Sequence, residues 1–497
     1  MNNEEIMALS VLVCERRMGA DANVEYTLPE YFPEIRKLLR VEPCLMQPTC
    51  YVSSSAAQVS GSVDYRIIYV GADGEIYSAP VSTEYSANAP IDTDERIDAS
   101  LGLEMTCTPS IESLTARVSG PRRVGIRARI RCNVRVLGRI SLCEEVLGEV
   151  NPMRVYKQRN SCKSAEYCSA GSDITELECD LAALADGVRI VDASAKAFVQ
   201  EVGARQGGVY CRGEVMLSVL ELDENTREYV SVCKKLPFEC NVEADTVVDG
   251  ASVRARGVVS EVRIDVEEDR VSCKIGICLD VKCFCNKEVE YTADLYSSER
   301  ECRTAMAEYE GAYSMICRNA NFTVSERFSS DSVGIPSDAK VIASFGSAVV
   351  DGVSKDNGKL VLDGHTRIAV ICGQGGEYTC TELDIPFRYS TDADDGADGE
   401  ISCFEACADV ISIRATNESS GFGLDAELAL SVDCMGSCRI SAVDVAELGE
   451  IVKREPDALT VCYPASDDTL WSIAKRYRVA PCDVSGDPTV DKYVIIE

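Results

Sequence analysis

Val59–Val70 reads VSGSVDYRIIYV, and a recognisable version of it returns twice, as Cys211–Leu222, CRGEVMLSVLEL, and as Leu362–Gly373, LDGHTRIAVICG. With Gly61, Gly213 and Gly364 in register, successive copies lie 152 and 151 residues apart, a period regular enough to decide the organisation of the chain before any element is assigned. The register holds on both sides of the glycine. Upstream stand IRKLLRVEPCLM from Ile35, VRIVDASAKAFV from Val188 and AKVIASFGSAVV from Ala339. Downstream an aromatic recurs at Tyr85, Phe238 and Phe387. The chain therefore divides into three copies of one unit and a remainder.

Inside the copies the period is two. Tyr65, Ile67 and Tyr69 alternate with Asp64 and Arg66 until Gly71-Ala72-Asp73-Gly74 turns the chain, which is the pattern of a β-hairpin. A second hairpin closes each copy. It starts at Leu114 and turns at Gly120-Pro121 in the first, and starts at Val262 in the second and at Ile411 in the third. Ile126, Ala128 and Ile130 alternate there with Arg127, Arg129 and Arg131, so one face is buried and the other solvated. Many strands without a long amphipathic helix predict a mainly β protein of antiparallel sandwiches or partly open barrels, with units at 20–155, 172–298 and 318–450. Tyr156–Asp173 and Tyr296–Asn321 are expected as flexible or partly helical connectors. In copy one, VEYTLPEYFPEIRKLL predicts a strand, a proline-punctuated turn and one helical turn from Pro33. Met1–Arg17 fits a short helix or a strand.

Composition narrows the function. At 497 residues the chain exceeds what one core organises, and 46% apolar residues indicate folded domains with largely aliphatic cores. No apolar run approaches the roughly 18 to 20 residues that cross a bilayer as a helix, so no transmembrane segment is expected. The opening MNNEEIMALSVLVCERR places acids before its apolar run, which argues against a secretory signal and for the cytoplasm. A net charge of −32 excludes nucleic acid as the natural partner, because phosphate neutralisation needs clustered Lys and Arg; it suits an acidic solvated surface or a basic protein partner. In that setting the 26 cysteines read as reduced thiols acting as small buried hydrophobes, or as material for later oxidative cross-linking in an assembly. Cys273, Cys278, Cys283 and Cys285 lie in a strand-like segment, with Cys283 and Cys285 on one face and Cys278 on the other, unlike the paired knuckles of a zinc site. Cys434 and Cys438 likewise lack a partner pair. No metal and no cofactor is expected.

The end of the chain changes pattern. From Leu459 to Tyr463 a short strand is predicted, Asp467-Asp468-Thr469 can cap a helix, and LWSIAKRY follows with Leu470, Ile473, Ala474 and Tyr477 on one face. Pro481 opens a second, poor helix and Tyr493–Ile496 a closing strand, giving the order βααβ over 459–497. The phrase DDTLWSIAKRYRV resembles a LysM domain. The three upstream copies resemble SPOCS domains, on Leu28-Pro29, on Pro33–Leu39, on Gly61 with Ile67-Ile68-Tyr69, and on Tyr296-Ser297 after copy two. SPOCS repeats followed by one terminal LysM domain characterise SipL-type spore-coat morphogenetic proteins of endospore-forming bacteria.

That resemblance implies a non-enzymatic scaffold of the mother-cell cytoplasm that assembles at the forespore surface. Its LysM-like tail would bind the SpoIVA-type ATPase of the coat basement layer, and its repeats would recruit other coat proteins. Thr469, Leu470, Trp471, Ile473 and Tyr477 are then the expected partner-binding residues. Trp471, the sole Trp, also suits the tail's own small core, and Arg476 and Arg478 more simply solvate the helix. The alternative is a binder of peptidoglycan or N-acetylglucosamine. Against it, Asp467 replaces the usual glycine before Asp-Thr-Leu, and Val484-Ser485-Gly486-Asp487 replaces the Leu-x-x-Asn that ends the second helix. A third reading, an enzyme using the cysteines, would need a base. His365 is the sole His, and the positions matching it in the other copies are Ser62 and Glu214. Asp394-Asp395 lie in a turn-like acidic stretch, and no phosphate-binding glycine motif stands between a strand and a helix.

Overall fold

Period-two segments form long strands because alternate side chains leave opposite faces of the backbone. In Arg123–Ser141 the buried Val124, Ile126, Ala128, Ile130 and Cys132 alternate with Arg123, Arg127 and Arg129 at the surface. The structure, a computed structural model, describes residues 8–97, 101–148, 154–181, 187–244, 246–267, 270–393, 400–418, 421–452 and 459–496. It is mainly β, and its sheets are almost wholly antiparallel.

The strands fall into three successive sets. The first holds β1 Ala8–Thr27, β2 Ile35–Leu45, β3 Thr49–Val52, β4 Ala56–Gly71, β5 Ile76–Pro90, β6 Glu104–Gly120 and β7 Arg123–Ser141, followed by the short β8 Glu145–Leu147. The second holds β9 Val155–Leu181, β10 Val188–Arg205, β11 Gly208–Asp223, β12 Glu228–Glu243, β13 Ser252–Glu267 and β14 Arg270–Ser297. The third holds β15 Arg300–Phe328, the one-turn α1 Ser330–Val333, β16 Lys340–Asp356, β17 Lys359–Gln374, β18 Glu377–Asp392, β19 Ile401–Glu418 and β20 Gly421–Ile451. In every set the middle strands make a meander, β2-β4-β5, β10-β11-β12 and β16-β17-β18. The first strand pairs with the last, and the last with the one before it: β1-β7-β6, β9-β14-β13 and β15-β20-β19. Even the bulges repeat, at Leu38/Arg40, Ile190/Asp192 and Val341/Ala343.

Each set buries its own apolar cluster between its two sheets. The recurring glycine now has a reason. Gly61, Gly213 and Gly364 stand directly opposite Tyr85, Phe238 and Phe387 in the ladder, and each aromatic ring lies over its glycine. A Cβ at Gly61 would sit 2.6 Å from the Tyr85 hydroxyl, and one at Gly213 would strike the Phe198 carbonyl oxygen.

The sets also share a centre. On β4, Val63, Tyr65, Ile67 and Tyr69 serve their own core, while Ile68 and Val70 on the other face meet Leu220 and Leu222 of β11 and Ile371 of β17. Leu39, Val191 and Ile342 occupy corresponding places in the same cluster. Contributions from matching positions place the three meanders around one axis. The Arg66 face is therefore not solvated, and Arg66 pairs with Asp192 of the second set.

Two expectations are corrected. Tyr156–Asp173 and Tyr296–Asn321 are not connectors, because they lie largely in β9, the end of β14 and β15. Their polar character reflects narrow ribbons with exposed sides, Val155–Tyr167 against Phe284–Ser297 and Arg300–Tyr313 against Gly436–Ile451, the second joined by β8 along Val445–Glu447, where the partner strand satisfies the backbone without a buried face on each side. The helical turn expected at Pro33 is absent, and the chain turns directly into β2. Within Met1–Arg17 the described residues from Ala8 belong to β1.

Candidate interaction site

After the third set, β21 Thr460–Cys462, α2 Leu470–Tyr477, a 3-10 turn at Pro481–Asp483, β22 Val484–Ser485 and β23 Val494–Ile496 make a small unit with sheet order β21-β23-β22. The second, poor helix expected after Pro481 is thus a single 3-10 turn. Proline fixes the first φ there, but the chain leaves into β22 before a second turn can form.

Thr469 caps α2: its hydroxyl accepts from the Ser472 N–H at 3.1 Å while the Thr469 N–H donates to Ser472 Oγ at 2.9 Å. Asp468 accepts from the Ala465 N–H at 3.0 Å and from Arg476 about two turns on. The backbone bond to Ala465, then Arg476 and Ser472, holds its carboxyl below the usual range. Arg476 is accordingly tied to the helix start, a pairing over eight positions that sequence spacing does not announce.

The expected binding residues separate. Ile473 is 0% exposed and, with Ala474, belongs to the tail's core, so it offers no surface to a partner. The shared helical face splits because Leu470 and Tyr477, 41% and 36% exposed, sit at its margins. Thr469 is exposed as the cap. Trp471 is turned toward the body of the protein: its Nε1–H donates to Asp294 Oδ2 at 2.8 Å, and its ring meets Tyr296 edge-on at 4.9 Å.

Around Trp471 the contact is built from both sides. Lys475 Nζ donates to both Asp294 oxygens, at 2.6 and 2.8 Å, and the buried Tyr296 hydroxyl donates to the Val479 carbonyl at 2.7 Å. Burial alone would raise the Asp294 carboxyl, but the bonds from Lys475 and Trp471 outweigh it and hold it below its ordinary value. Tyr156 packs on Tyr296 from β9. Asp294 and Tyr156 gave no signal in the sequence as docking residues, because Trp471 lies 177 residues beyond Asp294 and Tyr156 acts through Tyr296, on a strand more than a hundred residues on. The far side of the tail exposes Val461, Tyr463 and Tyr493, the two tyrosine rings 6.4 Å apart.

His365 Nδ1 lies 2.8 Å from Asp351 Oδ2, on the face of β17 that also carries Ile371. Asp394 and Asp395 lie outside the described residues. Cys273, Cys283 and Cys285 join the second apolar cluster, whereas Cys278 faces the first set and donates to Gln47 at 3.0 Å. Among the described residues no group of three or more His, Cys, Asp or Glu is placed to hold a metal ion.

Deep on the common axis lies an ionic cluster. Arg135, Lys282 and Asp433 occupy matching positions of β7, β14 and β20, opposite Thr106, Arg254 and Glu405. Glu405 accepts from Arg254 at 2.7 Å and Lys282 at 2.8 Å, and Arg135 pairs with Asp433. Burial pushes the Glu405 carboxyl up, but Arg254, Lys282 and Arg135 overcome it and hold it well below the carboxylate range. A cavity of about 150 Å³ adjoins this cluster, bordered by Glu42, Lys196, Arg256 and Asp409. Its charges are matched within the protein: Arg256 lies 3.3 Å from Asp409, and Lys196 Nζ donates to the Gly346 carbonyl at 2.6 Å.

No family model, no curated protein and no solved structure matches this chain.

Proposed function

We propose that this protein is a non-enzymatic scaffold of spore-coat assembly, made of three SPOCS-type units and a LysM-type tail. On this reading it acts in the mother-cell cytoplasm at the forespore surface, the tail holding the SpoIVA-type basement ATPase and the units holding other coat proteins. The observation that carries the proposal is the strand order found three times over, followed by a small capped-helix unit seated on the end of β14. Such a body offers broad sheet faces and strand edges, which suit protein contacts better than a reaction. No helix among the described residues is long and apolar enough to cross a membrane.

On this reading the partner meets the exposed part of the helix. Leu470 and Tyr477 are open, whereas Trp471 is engaged with the body. The test is pull-down of the basement ATPase by the full chain carrying Leu470→Asp and Tyr477→Ala together. Loss of at least tenfold in affinity, with Trp471 fluorescence unchanged, is expected. Undiminished binding removes this face as the contact. Heat from chitin oligomers titrated into the wild-type chain would favour the glycan reading instead.

A further inference from the structure

The outer face of the sheet β1-β7-β6 runs against the charge of the chain. Along β7, Arg123, Arg127, Arg129 and Arg131 follow one another on the side away from the core, with Arg117 beside them on β6. The acids near them are Asp21 and Glu25 on β1 and Glu112 on β6. Arg129 pairs with Asp21 at 2.9 Å and Arg131 with Glu112 at 2.6 Å, whereas Arg117, Arg123 and Arg127 are exposed without an ion-pair partner among the described residues. Two glycines keep this face level. A Cβ at Gly19 would strike the Arg129 guanidinium and one at Gly125 the Glu25 carboxylate, so both side chains lie across the strands rather than standing off them. In a chain of net charge −32, a level face richer in arginine than in acid is a local reversal of sign.

The same sheet of the second set has the opposite sign. With Arg135 and Lys282 in register, Arg127 and Arg129 match Lys274 and Gly276. Beside those two, β9 presents Glu176, Glu178 and Asp180, and β13 presents Glu261 and Asp265. Arg263 pairs with Glu261 at 2.7 Å and Lys274 with Asp265 at 3.5 Å, which leaves Glu176 and Glu178 exposed with no ion-pair partner among the described residues. Both faces belong to one repeated sheet, so their strand spacing and twist agree. Side chains on one face of a strand recur every ~6.8 Å, which sets Glu176 and Glu178 at the same pitch as Arg127 and Arg129. In the third set Asp425 and Glu427 stand at the matching positions, but Arg327 and Lys235 already meet them, at 3.4 and 3.5 Å.

We propose that the basic face of the first set docks on the acidic face of the second set in another copy of this chain. The two faces belong to different sets around the common axis, so a copy engaged through its first set still offers its second, and the contact is head to tail. Arginine suits such a contact, because its planar fork can meet a carboxylate with two hydrogen bonds. Matched charge rows also fix the register of the two sheets. The excess of acid makes copies repel at long range. At about 0.1 M salt, however, the screening length is ~10 Å, so the charges that meet across the contact outweigh those elsewhere on the surface. The proposal stands whether or not the protein serves a spore coat.

Sedimentation velocity of the full chain tests it. In about 0.1 M salt the wild type is expected to form species heavier than the monomer that grow with concentration, and about 1 M salt, where screening acts within ~3 Å, should return it to monomer. Arg127→Glu with Arg129→Glu leaves a chain with two acidic faces, and Glu176→Arg with Glu178→Arg leaves one with two basic faces. Each double variant alone should associate about tenfold more weakly than the wild type or worse, with an unchanged circular dichroism spectrum. An equimolar mixture of the two should associate again, since every acidic face then finds a basic one; misfolding of either variant cannot produce that rescue. The proposal is overturned if the wild type stays monomeric up to about 0.1 mM, if either double variant associates as the wild type does, or if the mixture stays monomeric. A monomeric wild type that binds anionic vesicles, with binding lost in the Arg127→Glu, Arg129→Glu chain, would overturn it in favour of a membrane surface.

Discussion

Gly213 illustrates how one position can be fixed by its neighbours across the sheet. The Phe238 ring covers it and the Phe198 carbonyl closes the remaining space, so a methyl group has nowhere to go. Gly213→Ala should cost about 1–3 kcal/mol by overpacking, read as a lower urea midpoint with unchanged slope. Glu405 is fixed by charge rather than by space. Glu405→Gln leaves Arg254 and Lys282 without their shared anion in a site only 3% exposed, and a loss of about 3–5 kcal/mol is expected in denaturant unfolding. Because the folded carboxyl is held below the ordinary range, its contribution is complete above that range and disappears as pH falls through the folded value. Glu104 has the opposite sign. Burial outweighs its 3.1 Å partner Arg139 and pushes its carboxyl up to about 7, so the folded state binds the proton more tightly. Stability from this group therefore falls as pH rises from the ordinary glutamate value toward 7, and Glu104→Gln should flatten that slope in unfolding midpoints measured between pH 4.5 and 8.

The informative elements are the ribbons and the terminal helix. Residues 155–167 and 300–313 read as linkers because Lys157, Gln158, Arg159 and Asn160, or Arg300, Glu301 and Arg303, show no apolar face. Each nevertheless pairs along its length with the last strand of its set, and pairing of that kind is decided by a segment more than a hundred residues away. The helix was better announced. Its cap, its period and its buried Ile473 and Ala474 follow from local spacing, whereas the orientation of Trp471 follows from Asp294 and Tyr296. Since Trp471 is the sole Trp, its emission reports this contact directly. Asp294→Ala should shift that emission to the red and speed proteolysis between the third set and the tail, with no change in the unfolding midpoint of the body. An unshifted spectrum would mean that the helix does not rest on β14 in solution.

At the scale of the whole molecule, the meanders are joined through Ile68, Leu220 and Ile371, at most 5% exposed and drawn from matching positions. Leu220→Ala should therefore cost about 2–5 kcal/mol and raise amide exchange not only on β11 but also on β4 and β17; exchange confined to β11 would show that the sets are energetically separate. The sequence by itself determined the period of about 150 residues, the β class, the hairpins that close each copy and the capped terminal helix. Those features rest on alternation and turn chemistry, which are local and survive without knowledge of what the other face meets. Only the tertiary structure decided that a second face of β4, β11 and β17 is buried, that Arg135, Lys282 and Asp433 meet around one axis, and that Trp471 turns inward. Those contacts join residues about 150 to 300 positions apart. A strand's pattern says which side is apolar, but what covers that side depends on how the chain closes in space.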